Sequence, residues 1–105
     1  MSNEPIKQLV FDDAFFPALA TTNVTLRKGE LNIVAGAFNF VAKKSGEVLP
    51  VEVTAVQSKA FKDLSEEIFK RDGKGSKEAT FKDMSRFYPD MTPETKVTVV
   101  SYRPQ

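Results

Sequence analysis

The feature that most constrains this chain is a change of hydrophobic period after Val56, reversed before Lys96. From Asn23 to Val56 apolar residues fall at alternate positions. Val24 and Leu26 stand against Asn23, Thr25 and Arg27; Phe38 and Phe40 share one side of Ala37–Ala42; Val51, Val53 and Ala55 alternate with Glu52 and Thr54. Such alternation sends successive side chains to opposite faces of a strand. The spacing then becomes helical. Phe61, Leu64 and Ile68 recur at i, i+3 and i+7 with Phe69 adjacent, and Phe81, Met84 and Tyr88 follow in the same manner. Alternation returns over Lys96–Tyr102, with Val97 and Val99 on one face and Thr98 and Val100 on the other. Two helices enclosed between strands of a mainly antiparallel sheet predict an α+β fold, not a doubly wound one. Short strands with a late strand returning to pair fit a small, partly open barrel.

The remaining boundaries follow from turn and cap residues. Residues 1–6 read as a tail, and Gln8 to Phe11 as a first strand ended by Asp12-Asp13. Either aspartate is placed to cap a helix over about 13–20, with Phe15, Phe16 and Leu19 as its apolar face. Pro17 makes that helix short or distorted. Lys28-Gly29-Glu30 and Lys43-Lys44-Ser45-Gly46 are turns. Ser58 is placed to cap the first long helix and Gly73 to stop it; Ser76 caps the second, which Pro89 ends. The expected order is strand, helix, three strands, two helices, strand.

At 105 residues and 41% apolar, the chain is expected to form one domain with a packed core, filled largely by its nine phenylalanines. It has no cysteine and no histidine. That excludes disulfides, thiolate catalysis, Ser-His-Asp or Cys-His machinery, and the common zinc sites. The EF-hand pattern is absent too, so neither metal nor cofactor is called for. No apolar window approaches membrane-spanning length, and a signal-type run is missing at the N-terminus; a cytoplasmic protein is the expectation.

The net charge of +1 argues against a strongly electrostatic nucleic-acid binder. The charge is uneven, however. Residues 1–58 carry five basic and six acidic side chains, residues 59–105 ten and eight, and the excess gathers at Lys70, Arg71, Lys74 and Lys77 around Asp72. This cluster reads either as a solvated helix end and loop or as a phosphate-facing patch. Gly73-Lys74-Gly75-Ser76 lacks Walker spacing and its preceding strand, and the pairs Asp12/Asp13 and Glu66/Glu67 sit where caps and solvated faces are expected. The segment with most chemistry is Ala20 to Arg27, where Asn23, Thr25 and Arg27 share one side of a strand directly after a helix. A hydroxyl, an amide and a guanidinium in that array can grip a base edge or a phosphate. The same pattern fits an exposed sheet face with Arg27 in a surface ion pair.

A helix, a small residue and a strand carrying Thr25-x-Arg27 resembles the signature region of the ASCH family of PUA-like barrels, whose pattern is Gly-x-Lys-x-x-Thr-x-Arg. Glu52-Val53-Thr54, the Tyr88-Pro89 step and the final strand resemble that family in the same order, so the likeness runs from about Phe11 to Tyr102. It implies a small mixed β-barrel with flanking helices and a ligand that is RNA, a nucleotide or a modified nucleoside. On this alignment Thr22, Thr25 and Arg27 line the cleft, approached by Lys70, Arg71 and Lys74, with Tyr88 or Phe87 able to stack. Some small members deacetylate acetylcytidine with a Lys, a Thr and a Glu, and others act as nucleases. Here the threonine is Thr25 and the acid falls near Asp72, with Glu67 as its neighbouring alternative. Thr22 stands in the lysine's place and Ala20 in that of the signature glycine. A threonine supplies neither an amine nor a charge, so the resemblance implies weakened hydrolase activity. Lys28, one residue past Arg27, points to the other side of the strand. Three readings stand at this level: an RNA- or nucleotide-binding module, a hydrolase, and a protein-interaction scaffold.

Overall fold

The computed structural model describes residues 6–71 and 76–105. Five strands, β1 (Gln8–Phe11), β2 (Val24–Lys28), β3 (Gly36–Ala42), β4 (Val48–Ala60) and β5 (Lys96–Pro104), form one sheet in the order β1-β3-β4-β5-β2. β1 runs parallel to β3; the other pairings are antiparallel. The sheet curls into a half-barrel whose two edge strands, β1 and β2, face each other across a seam. β4 supplies much of the curl. Its register on β5 shifts between Val53 and Ala55, and a bulge of this kind bends a strand and raises its twist. Pro50 is tolerated inside β4 because β5 ends opposite it, where only the Gln105 N–H reaches the Pro50 carbonyl.

Each face of the sheet has its own core. One buried cluster holds Leu9, Phe11, Phe38, Phe40, Val100 and Tyr102 with Phe16 and Leu19; in it Phe40 meets Phe38 and Tyr102 edge to face, the Tyr102 ring with its centroid 4.6 Å away. The other joins Val24, Val97 and Val99 to Phe61, Leu64, Phe69 and Met84, and so seats the helices α1 (Glu66–Arg71) and α2 (Lys77–Phe87) against β2 and β5. Phe38 and Phe40 are buried on one face as their spacing predicts. Ser76 caps α2, its hydroxyl accepting from the Ala79 N–H.

Three sequence expectations are corrected. Ser58 does not cap a helix: β4 continues to Ala60 because β5 is long enough to pair with it there, and the Ser58 hydroxyl meets that of Thr98. The expected long helix becomes a 3-10 turn at Phe61–Asp63 followed by the short α1; its expected stop, Gly73, lies outside the described residues. Near the N-terminus, Pro17 shortens the helix to a 3-10 helix at Phe16–Ala20 with no side-chain cap. Asp13 instead accepts from the Lys44 and Ser45 N–H groups, and Phe15 is 40% exposed while Phe16 and Leu19 are buried.

Candidate functional site

A cavity of about 480 Å³ opens at the seam. Its walls come from β1, the 3-10 helix, β2, the β3–β4 turn and α2. Thr22, Thr25 and Arg27 all line it, as do Phe87 and Tyr88. The volume falls within the few-hundred-Å³ range of small-ligand pockets.

Arg27 bridges the seam. Its guanidinium lies 4.5 Å from the centre of the Phe11 ring and donates to the Val10 carbonyl on β1. The ladder explains why that carbonyl is open: the Lys7 carbonyl accepts from Asn39 of β3 and the Phe11 carbonyl from Lys43 just beyond it, so the intervening Val10 faces the other way. Burial pushes the Arg27 pKa below its ordinary value, and the neighbouring Tyr88 phenol pushes it back up. Arg27 remains a cation with N–H groups to spare, fixed by a ring and a carbonyl.

Thr25 differs in kind. It is only 6% exposed, and its hydroxyl has no hydrogen-bond partner among the described residues. No fully buried side-chain N or O atom among those residues is unpaired. The Thr25 oxygen therefore keeps its access to solvent through the cavity it lines. Thr22 sits at the end of the 3-10 helix, its hydroxyl 2.7 Å from that of Tyr102, which in turn reaches the Leu19 carbonyl at 2.9 Å.

The mouth is apolar and aromatic. Val10, Phe15 and Phe87 are 44%, 40% and 53% exposed, and the Phe15 and Phe87 rings stand edge to face with centroids 6.1 Å apart. Exposed apolar groups gathered at one opening mark a contact surface more than scattered ones do. Lys43, Asp12 and Asp83 add charge to the walls. By local sequence Lys43 is an ordinary turn residue. Only the parallel β1–β3 pairing, which brings the Lys43 N–H to the Phe11 carbonyl, sets it beside the cavity.

Of the basic cluster, Lys70 and Lys77 do not line this cavity. Lys70 is exposed on α1. The Lys77 ammonium donates to the Lys62 and Leu64 carbonyls, tying α2 to the preceding 3-10 turn. The Arg71 side chain, Asp72 and Lys74 lie outside the described residues. Glu67 is exposed in the first turn of α1 and also does not line the cavity. No group of three or more metal-ligating side chains occurs among the described residues, and no described helix is long and apolar enough to cross a membrane.

No protein-family model matches the chain, and no curated protein matches it in sequence. Solved structures match its fold. Hypothetical protein PH0355 superposes with a TM-score of 0.70 at 17% identity, covering 93% of this chain and 97% of that one. The ASCH domain from Lactobacillus crispatus JV V101 gives 0.61 at 16% identity over 82% of this chain; the match spans 65% of that structure's length. Protein EF3133 from Enterococcus faecalis V583, described as DUF984, gives 0.72 at 12% identity over 100% of this chain and 78% of its own. Identities this low carry the fold alone. That fold is α+β and similar to that of the ASCH domain.

Proposed function

We propose that this chain binds RNA or a nucleotide in the seam cavity lined by Thr22, Thr25 and Arg27. The observation that carries the reading is the Thr25 hydroxyl, without a hydrogen-bond partner among the described residues and open to a ligand-sized cavity. A hydroxyl that meets solvent through such a cavity keeps its donor and its lone pairs for whatever occupies it. Around it stand the parts a base and its phosphate need. Arg27 offers N–H donors to a base edge or phosphate oxygen, and the exposed Phe15 and Phe87 offer faces on which a base can stack.

The test is titration of short single-stranded RNA and of nucleoside monophosphates into the full chain. Salt-sensitive binding is expected for RNA. Arg27→Ala should weaken it, but that variant also opens the seam. Thr25→Val keeps the shape and removes only the hydroxyl, so it is the cleaner probe; unchanged affinity in a folded Thr25→Val protein would sink the assignment of this site.

A second reading is favoured by Lys43, whose ammonium makes no hydrogen bond or ion pair among the described residues and sits on the same cavity. An amine there can serve the hydrolysis of an amide on a modified nucleoside, with Thr25 as nucleophile or orienter and Asp72 as acid/base. Incubation with acetylcytidine should then yield cytidine. No product from either the native protein or Thr22→Lys ends that reading.

A further inference from the structure

Four donors converge on the carbonyl oxygen of Ala18. The Thr21 and Thr22 N–H groups lie at 3.1 Å, the Thr21 hydroxyl at 3.0 Å and the Thr22 hydroxyl at 3.3 Å. A carbonyl oxygen has two lone pairs, so the longest of these contacts is the weakest claim on it. The shorter contact of the Thr22 hydroxyl is the one to Tyr102, at 2.7 Å. The Leu19 carbonyl, 2.9 Å from the Tyr102 oxygen, can only accept. The Tyr102 proton therefore goes to Leu19, and the 2.7 Å contact between two hydroxyl oxygens is held by the proton of Thr22. Thr22 uses its one O–H inside the protein. Lone pairs are what it has left for the cavity.

Along the same wall, Thr25 can donate or accept and Arg27 can only donate. We infer that Thr22, oriented by Tyr102, is a specificity-determining residue that selects bases carrying an exocyclic amino group over their oxo counterparts. The inference rests on the base-binding reading of the cavity. An amino N–H meets the lone pairs of Thr22 directly. An oxo oxygen in its place faces those lone pairs, or forces Thr22 to turn its proton outward and give up Tyr102. A site built to accept a hydrogen bond discriminates against the analogue that lacks the donor. Tyr102 is a positioning residue here, acting through Thr22.

The experiment titrates the full chain with CMP and UMP, and with AMP and IMP. In each pair an amino group becomes an oxo group and the adjacent ring nitrogen changes from acceptor to N–H donor, so the Thr22 variants assign the difference to Thr22. The amino member of each pair is expected to bind about five- to tenfold tighter, as one net hydrogen bond allows. Thr22→Val keeps the shape without the lone pairs, and should bring each ratio to within about twofold. Thr22→Ser restores the hydroxyl and should restore the ratio. Tyr102→Phe frees the Thr22 proton, so the oxo members should gain while the amino members hold. Equal binding within the pairs by the native protein, or an unchanged ratio in Thr22→Val, overturns this inference alone. Failure of the folded native protein to bind any of the four overturns the base-binding reading and this inference with it.

Discussion

Thr98 on β5 and Thr25 on the neighbouring β2 are both buried, yet the fold treats their hydroxyls in opposite ways. The Thr98 hydroxyl donates to the Gly29 carbonyl at 2.6 Å, accepts from the Leu31 N–H at 2.9 Å and lies 3.1 Å from the Ser58 hydroxyl. Gly29 reaches it through a positive φ of 94°, a conformation that glycine adopts without strain. Thr98 thereby ties the turn after β2 to the middle of the sheet. Thr25 has no such tie, because β2 has a strand on one side only and the seam on the other. Where the ladder is complete, polar groups are used up in holding it. Where it stops, a hydroxyl and a guanidinium are left with capacity to spare.

The largest expected effect is on the complete side. Thr98→Val leaves the Leu31 N–H and the Gly29 carbonyl without their partner, a loss of about 2–4 kcal/mol. For a domain of this size the midpoint of thermal unfolding should fall by roughly 10–30 °C. A shift of only a degree or two would break the contrast, since Thr98 would then be no more structural than Thr25. Arg27→Ala comes next, because Arg27 serves both sides. Losing its bond to Val10 and its stacking on Phe11 should cost about 1–3 kcal/mol and weaken ligand binding tenfold or more. Arg27→Lys keeps a charge without the planar fork and should fall between the two.

Thr25→Val sharpens the contrast from the other side. No protein hydrogen bond is lost, so the midpoint should hold or rise slightly while ligand affinity falls about fivefold. Equilibrium unfolding and titration on the same preparation read the two effects separately. Destabilisation comparable to that of Thr98→Val would show that the Thr25 hydroxyl has a structural role after all.

Much of this layout is legible in the local pattern of the chain. The first strand, the strand containing Phe38 and Phe40, the Ser76 cap and the pairing of Thr25 with Arg27 on one strand face follow from periodicity and cap chemistry. Asn23, grouped with them by alternation, does not line the cavity, and Thr22, which does, is placed there by the family resemblance. What is not legible depends on pairing at a distance. Ser58 looks like a cap until β5 extends far enough to hold it in a strand. Phe15 looks like core, although Pro17 delays the helix and leaves the ring at the cavity mouth. Lys43 looks like an ordinary turn residue until β1 pairs parallel to β3. The polar face of β2 fits either a ligand-gripping array or an exposed sheet face, and the curl of the sheet makes Thr25 and Arg27 part of a cavity wall.

The smallest effect is one of acidity, and it separates the two regions without a ligand. The Lys44 N–H, with help from Ser45, holds the Asp13 carboxyl below its usual range against the opposing effect of burial. For Asp90 the hydrogen bond from the Lys28 ammonium does the same, at 2.7 Å to each carboxylate oxygen. In both cases the folded pKa lies under the unfolded value, near 3.9 for aspartate. The stability they contribute is therefore present above that value and lost as the pH falls through the lower folded one. Both act on the seam side. Asp13 fastens the chain after β1 to the turn bearing Lys43, and Asp90 fastens the end of β2 to the chain after α2. Acid should thus loosen the seam before the β4–β5 ladder, with the Lys44 and Ser45 amides losing hydrogen-exchange protection first. Asp13→Asn should remove most of the acid dependence at those two amides while shifting the midpoint at neutral pH very little. Protection lost at the same pH in the seam and in the ladder would mean that the two regions open as one, and that the seam is no looser than the rest of the sheet.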